Sequence, residues 1–188
     1  QLPTHWDTNG FATSSLSRDF VVYFFPGLVL AIYSLMLWAA AGDPLRKNLV
    51  ACLPALYWIR VSVVIFLLLL HLFFLGAAIN VWPGAMNLAL TLDFSYLFLM
   101  FGRYLPHLKR NYFYGVRTPW TLESNQVWRK THELAGQVFA LLAVVNIFGV
   151  VAPTWSFWIT VLLIVIAAGW LITFSAYEYR RENPRGAL

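Results

Sequence analysis

Apolar residues in this chain occur in long unbroken runs, neither at alternate positions nor in the narrow stripe of a soluble amphipathic helix. Five runs, Phe20–Ala41, Ala55–Ile79, Ala85–Gly102, Ala135–Val151 and Phe157–Tyr177, reach or approach the ~20 residues with which a helix crosses a hydrocarbon layer. A stretch such as Val63-Val-Ile-Phe-Leu-Leu-Leu-Leu70 has no period of two, which excludes the alternating strands of a membrane barrel. The pattern predicts an all-α, polytopic transmembrane helix bundle with five spans. The chain starts at Gln1 with no initiator Met, so a sixth, upstream helix is expected in the full gene product. Two units are expected: residues 1–54, with the first span and its turn, and residues 55–188, a four-helix membrane domain with a polar loop at 103–134.

Composition agrees with the pattern: 60% of the residues are hydrophobic and only 11% charged, too apolar for a soluble core of this length. Charge then orients the spans. Arg46, Lys47 and Arg60 flank the first turn; Arg103, Lys109, Arg110, Arg117, Arg129 and Lys130 lie between the third and fourth runs; Arg180, Arg181 and Arg185 follow the fifth. These ends are expected in the cytoplasm. The connections Asn80-Val-Trp-Pro-Gly84 and Ala152-Pro-Thr-Trp-Ser156 lack Lys and Arg and carry or adjoin Trp82, Trp155 and Trp158, so they and the N-terminus are expected outside. The net charge of +5 is explained by this asymmetry, and direct nucleic-acid binding is not expected. A single Cys52 excludes an internal disulfide and a cysteine-based metal site.

The segment Arg103–Leu134 is the one long polar stretch, and hydrophobicity does not explain its order of residues. Pro106 ends the third helix, and Tyr112-Phe-Tyr114 with Lys109 and Arg110 suits headgroup depth, making membrane lipids a partner. Gly115 allows a turn closed to other residues, and Thr118-Pro119 biases the chain to extended geometry, holding Arg117 and Trp120 in fixed directions. Thr121 or Ser124 is expected to cap a helix that begins before the membrane, with Trp128, His132 and Ala135 on one stripe and Arg129 and Glu133 paired on another. Arg117, Trp120, Arg129 and His132 serve either to tie the loop beneath the bundle or to bind a partner. They contain no nucleophile, base and orienting group in combination, which argues against an enzyme.

The motif Asn111-Tyr-Phe-Tyr-Gly-Val-Arg-Thr-Pro-Trp-Thr-Leu122, followed by Val127-Trp-Arg-Lys-Thr-His132 and Gly136, resembles the signature of the SdpI family of bacterial membrane immunity proteins. Leu2-Pro-Thr-His-Trp-Asp-Thr-Asn-Gly10 resembles the exterior Pro-x-His-Trp motif that commonly precedes the SdpI part, with His5, Trp6, Asp7 and Gly10 at motif positions and Asp7 where Asn is frequent. The resemblance implies a non-enzymatic protein of the bacterial inner membrane that protects against a membrane-active peptide toxin. In some members it also implies that a transcriptional repressor is held at the membrane. It makes Arg117, Pro119, Trp120, Trp128, Arg129 and His132 the candidate partner-binding residues on a cytoplasmic loop.

Within the spans, His71 and Asp93 fall at similar depth on helices joined by a tight turn, and a hydrogen bond between them is expected to satisfy both. Asn87, Asn146 and Thr173 are expected to bond between helices, and Arg60 to snorkel to the interface. No cofactor is expected: His71 has no second histidine at its depth for a haem, and His5 with Asp7 supplies too few ligands for a structural zinc. Two other readings stay open. One is an accessory subunit packed against other membrane subunits; the other is a small proton-coupled transporter or membrane enzyme using His71 and Asp93.

Overall fold

In a computed structural model, which describes residues 2–7, 12–79, 81 and 86–184, the apolar runs become five long helices. They are α1 (Arg18–Gly42), α3 (Leu53–Ala78), α4 (Met86–Tyr104), α6 (Asn125–Ile147) and α7 (Pro153–Glu182), with short helices α2 (Arg46–Val50) and α5 (Pro119–Glu123) between them. Each long helix is long and apolar enough to cross a membrane, and the protein is an integral membrane protein. Of the residues singled out above, Gly10, Asn80, Trp82 and Arg185 lie outside the described residues.

Helix starts follow local chemistry. Ser17 caps α1 by accepting the Phe20 N–H, with Asp19 in the first turn. Pro in the first turn opens α3, α5 and α7, where its missing N–H leaves no intrahelical bond unmade. Ser124 caps α6 through the Gln126 and Val127 N–H groups, so that helix begins ten residues before the apolar run. Thr121 has a different part: it forms a reciprocal capping box with Thr118 at the start of α5.

The N-terminal motif forms a strand. Strands β1 (Leu2–Trp6) and β2 (Ala12–Leu16) pair antiparallel, with His5 opposite Ser14 and Trp6 opposite Ala12. Bulges on either side of His5 break the regular register. The hairpin meets α1 and α3 at one end of the bundle; the 107–124 loop closes the other. Among the described residues, Arg18 is the one cation at the hairpin end, and the remaining Lys and Arg gather toward the loop end.

The most extensive helix contact joins α4 to α6, and small residues set it. A Cβ on Gly102 would lie 2.8 Å from the Ala140 backbone nitrogen, and one on Gly136 2.3 Å from Pro106 Cγ and 3.0 Å from the Gly102 carbonyl. Close approach there needs glycine on both helices. In the hairpin half, Asn146 donates to Thr91 O and Ser95 Oγ, each at 2.9 Å, and accepts from Thr160 Oγ1 at 2.6 Å, bonding α4, α6 and α7 together. This realises the interhelical role expected of Asn146. Thr173 instead bonds back to Gly169 O and Trp170 O of its own helix, because a threonine hydroxyl reaches the preceding turn without a partner helix.

The main apolar cluster lies at the loop end. Leu49, Cys52, Leu56 and Ile59 meet Leu105, Leu108, Tyr114, Trp128, Ala135 and Leu171 there, so the loop is part of the core rather than an appendage.

Candidate functional site

The loop is organised by Asn111, whose side chain is completely buried. Its Oδ1 accepts the N–H groups of Phe113 and Tyr114 at 2.9 and 2.6 Å, and its Nδ2 donates to Lys109 O and Tyr114 O at 2.9 and 3.1 Å. Such an amide makes every bond of a tight turn locally. Tyr114 then points inward and its hydroxyl donates to Met36 O of α1. Burial pushes the Tyr114 phenol up from its ordinary range; the nearby Arg60 charge opposes this and Asp43 adds to it. The Nε of Arg60 is buried without a hydrogen bond.

Asp43, at the end of α1, joins the first turn to the loop. One carboxylate oxygen accepts Leu45 N–H at 2.7 Å and the other accepts Tyr112 N–H at 2.8 Å. Asn48 of α2 donates to Arg110 O at 2.8 Å. Arg110 reaches across to the carbonyls of Leu122 and Glu123, at 3.1 and 2.8 Å. The guanidinium thus neutralises the carbonyl end of α5.

At the centre is His132. Its Nδ1 donates to Trp128 O at 2.8 Å and its Nε2 accepts the Val116 N–H at 3.0 Å, so both ring nitrogens are committed and the Nδ1–H tautomer is defined. Its ring stacks on Trp128 with centroids 4.0 Å apart, and Trp128 Nε1 donates to Leu108 O at 2.8 Å. Gly115 passes the Nε2 edge of the imidazole with φ of 99°. A Cβ there would sit 2.2 Å from His132 Nε2. The loop's turn and its histidine therefore require each other.

Beyond this clasp, Thr118 Oγ1 and Ser175 Oγ of α7 share a hydrogen bond of 3.0 Å. Ser124 Oγ donates to Glu182 at 2.7 Å, and Glu178 accepts Lys130 at 2.5 Å and Arg181 at 3.4 Å. These bonds fasten α7 to the loop and to α6.

The six candidate partner residues separate by burial. Trp128 and His132 are enclosed in the clasp; Trp120 is half-buried; Arg117, Pro119 and Arg129 are exposed. Arg117 donates to Tyr112 O at 3.0 Å, and Arg129 makes the expected pair with Glu133 at 2.9 Å. At the other end His5 and Asp7 are exposed, and His5 Nδ1 shares a hydrogen bond of 2.8 Å with Ser14 Oγ.

The hydrogen bond expected between His71 and Asp93 is not made. His71 stacks on Phe25 of α1, centroids 5.1 Å apart, because that face of α3 packs on α1. Its Nδ1 and both Asp93 oxygens are buried without hydrogen-bond partners. Among the described residues, no cluster of three or more His, Cys, Asp or Glu is placed to hold a metal. Asn111 and Asp43 were absent from the sequence-derived site residues, whereas Gly115 was expected as the turn former of the loop. The signal for Asn111 was local, an Asn three residues before an inward Tyr and four before Gly; for Asp43 only the Leu45 N–H bond is local, and its loop partner Tyr112 lies 69 residues away.

The bundle and its clasped loop define a polytopic α-helical membrane protein with a buried, polar-bonded cap at one end. Residues 107–175, which hold the clasp and its attachment to α7, match the SdpI/YfhL protein family. The chain is also similar to the Immunity protein SdpI of Bacillus subtilis (strain 168), 23% identical over 187 residues that cover 97% of this chain and 84% of that protein. No solved structure matches the chain.

Proposed function

We propose that the protein is a non-enzymatic immunity protein of a bacterial cytoplasmic membrane that protects its cell against a membrane-active peptide toxin. The observation that carries this reading is the similarity to an immunity protein along nearly the whole chain, hairpin end included. The geometry is in keeping with it. Signature side chains that look chemically capable, His132, Thr118, Thr121 and Asn111, direct their polar atoms at the protein's own backbone and side chains, as scaffold residues do. The loop end faces the cytoplasm in this reading, because the Lys and Arg gather there. The exposed His5 and Asp7 beside Trp6 then meet an exterior peptide, and exposed Pro119 and Arg129 are the surface offered to a cytoplasmic repressor.

The test is expression in a bacterium sensitive to a secreted membrane-active peptide, with survival and membrane potential followed after challenge. Protected cells keep their potential, and His5→Ala or Trp6→Ala weakens protection at unchanged membrane content. Full depolarisation despite normal membrane content of the protein overturns the reading.

A second reading is favoured by α1. Phe20, Tyr23, Phe24, Leu30 and Trp38 are exposed along it, and Gly27 has open space where a Cβ would be. An accessory subunit with this helix against another membrane protein would co-purify with that partner in fixed ratio.

A further inference from the structure

Where the loop meets α6 and α7, a cavity of about 260 Å³ runs from Arg117 along α7 beneath Phe139, walled by Ile164, Ala167, Ala168 and Leu171. We propose that this groove binds one phospholipid of the leaflet at the loop end, with an acyl chain along α7 and the phosphate on Arg117. The inference is independent of the immunity reading.

Three observations carry it. The first is shape: Ala167 and Ala168 leave a depression between the larger Ile164 and Leu171, and from Ile164 to Leu171 α7 rises by about 10 Å, most of one leaflet's half of a ~30 Å hydrocarbon layer. The second is charge. The three ion pairs among the described residues are Arg129–Glu133, Lys130–Glu178 and Arg181–Glu178, and none uses Arg117. Arg117 lines the groove and is exposed, and its one hydrogen bond among the described residues, from Nη1 to Tyr112 O, leaves its other guanidinium donors available. A planar fork of N–H donors suits a phosphate. The third is position. An apolar groove with a cation at one end, on a membrane helix whose Ile164 and Ile172 face outward, matches a molecule with an anionic head and a hydrocarbon tail. A soluble anion would use Arg117 and leave the groove empty.

The test is native mass spectrometry of the purified full chain in detergent, titrated with phosphatidylglycerol, phosphatidylethanolamine, diacylglycerol or inorganic phosphate. One phosphatidylglycerol or phosphatidylethanolamine is expected to be retained, and diacylglycerol, which lacks the phosphate, is not. Arg117→Gln removes the head contact and Ala168→Phe fills the groove; each is expected to weaken retention by about tenfold or more, as for loss of one charge-assisted bond. Arg103→Gln, an exposed cation on α4, is expected to leave retention unchanged. If Arg117→Gln fails to fold, Ala168→Phe tests the groove alone. Equal losses in all three variants, no retained lipid in the parent protein, or displacement by inorganic phosphate with Ala168→Phe silent would each overturn the proposal.

Discussion

His132 and Gly115 occupy each other's limits: the imidazole Nε2 accepts the N–H of the residue after Gly115, and it stands where a Cβ on Gly115 would have to go. The backbone at Gly115 is also left-handed, so any other residue there meets two penalties, the φ of 99° and the overlap.

Gly115→Ala is therefore expected to destabilise the protein by about 2–4 kcal/mol, read as a lowered melting midpoint in detergent. His132→Ala removes the overlap as well as the hydrogen bond. The double variant should then cost less than the sum of the singles. Strict additivity would show that the two do not meet.

Trp128→Ala should be the most damaging of the aromatic changes in the loop region, by about 3–5 kcal/mol, because Trp128 is buried, stacked on His132 and bonded to Leu108 O. Trp120→Ala should cost less, since Trp120 is only half-buried. Arg129→Ala should change stability by under ~1 kcal/mol, its ion pair being solvent-exposed. Thermal melting of the three variants in one detergent decides the order.

His71 should couple to Phe25 and not to Asp93. In double-mutant cycles, His71→Ala with Phe25→Ala is expected to be non-additive by about 0.5–1.5 kcal/mol, and His71→Ala with Asp93→Ala additive within ~0.5 kcal/mol. Asp93→Asn should hold or raise stability, because the carboxylate has no donor or cation to lose. A large loss in that variant would reveal a partner for Asp93.

Orientation is testable with thiol reagents, but Cys52 is a poor reporter. It is buried, its Sγ donates to Asn48 O at 3.2 Å, and burial pushes the thiol up against the weaker opposing influence of Lys109. Less thiolate and less access both slow alkylation, so Cys52 should stay unlabelled in intact and permeabilised cells, with labelling rising only at a pH above that of a free cysteine. In a background without it, Trp155→Cys is expected to react with an impermeant reagent in intact cells, and Lys109→Cys only after permeabilisation. The opposite result would invert the orientation.

The five spans were legible in the chain because the bilayer imposes run length and apolarity directly on sequence, and the caps at Ser124 and the Arg129–Glu133 pair were legible because their partners lie within four residues. The Asn111 turn belongs to the same local chemistry, although its burial does not. What required the tertiary structure was every relationship across helices: Asp43 to Tyr112, Tyr114 to Met36, Thr118 to Ser175, and His71 to Phe25 in place of Asp93. Depth along a span can be counted from residue number, but the rotation of each helix about its axis is set by packing. In α3, with apolar residues on all sides, no stripe tells which face meets α1 and which meets α4, and only the packed bundle decides it.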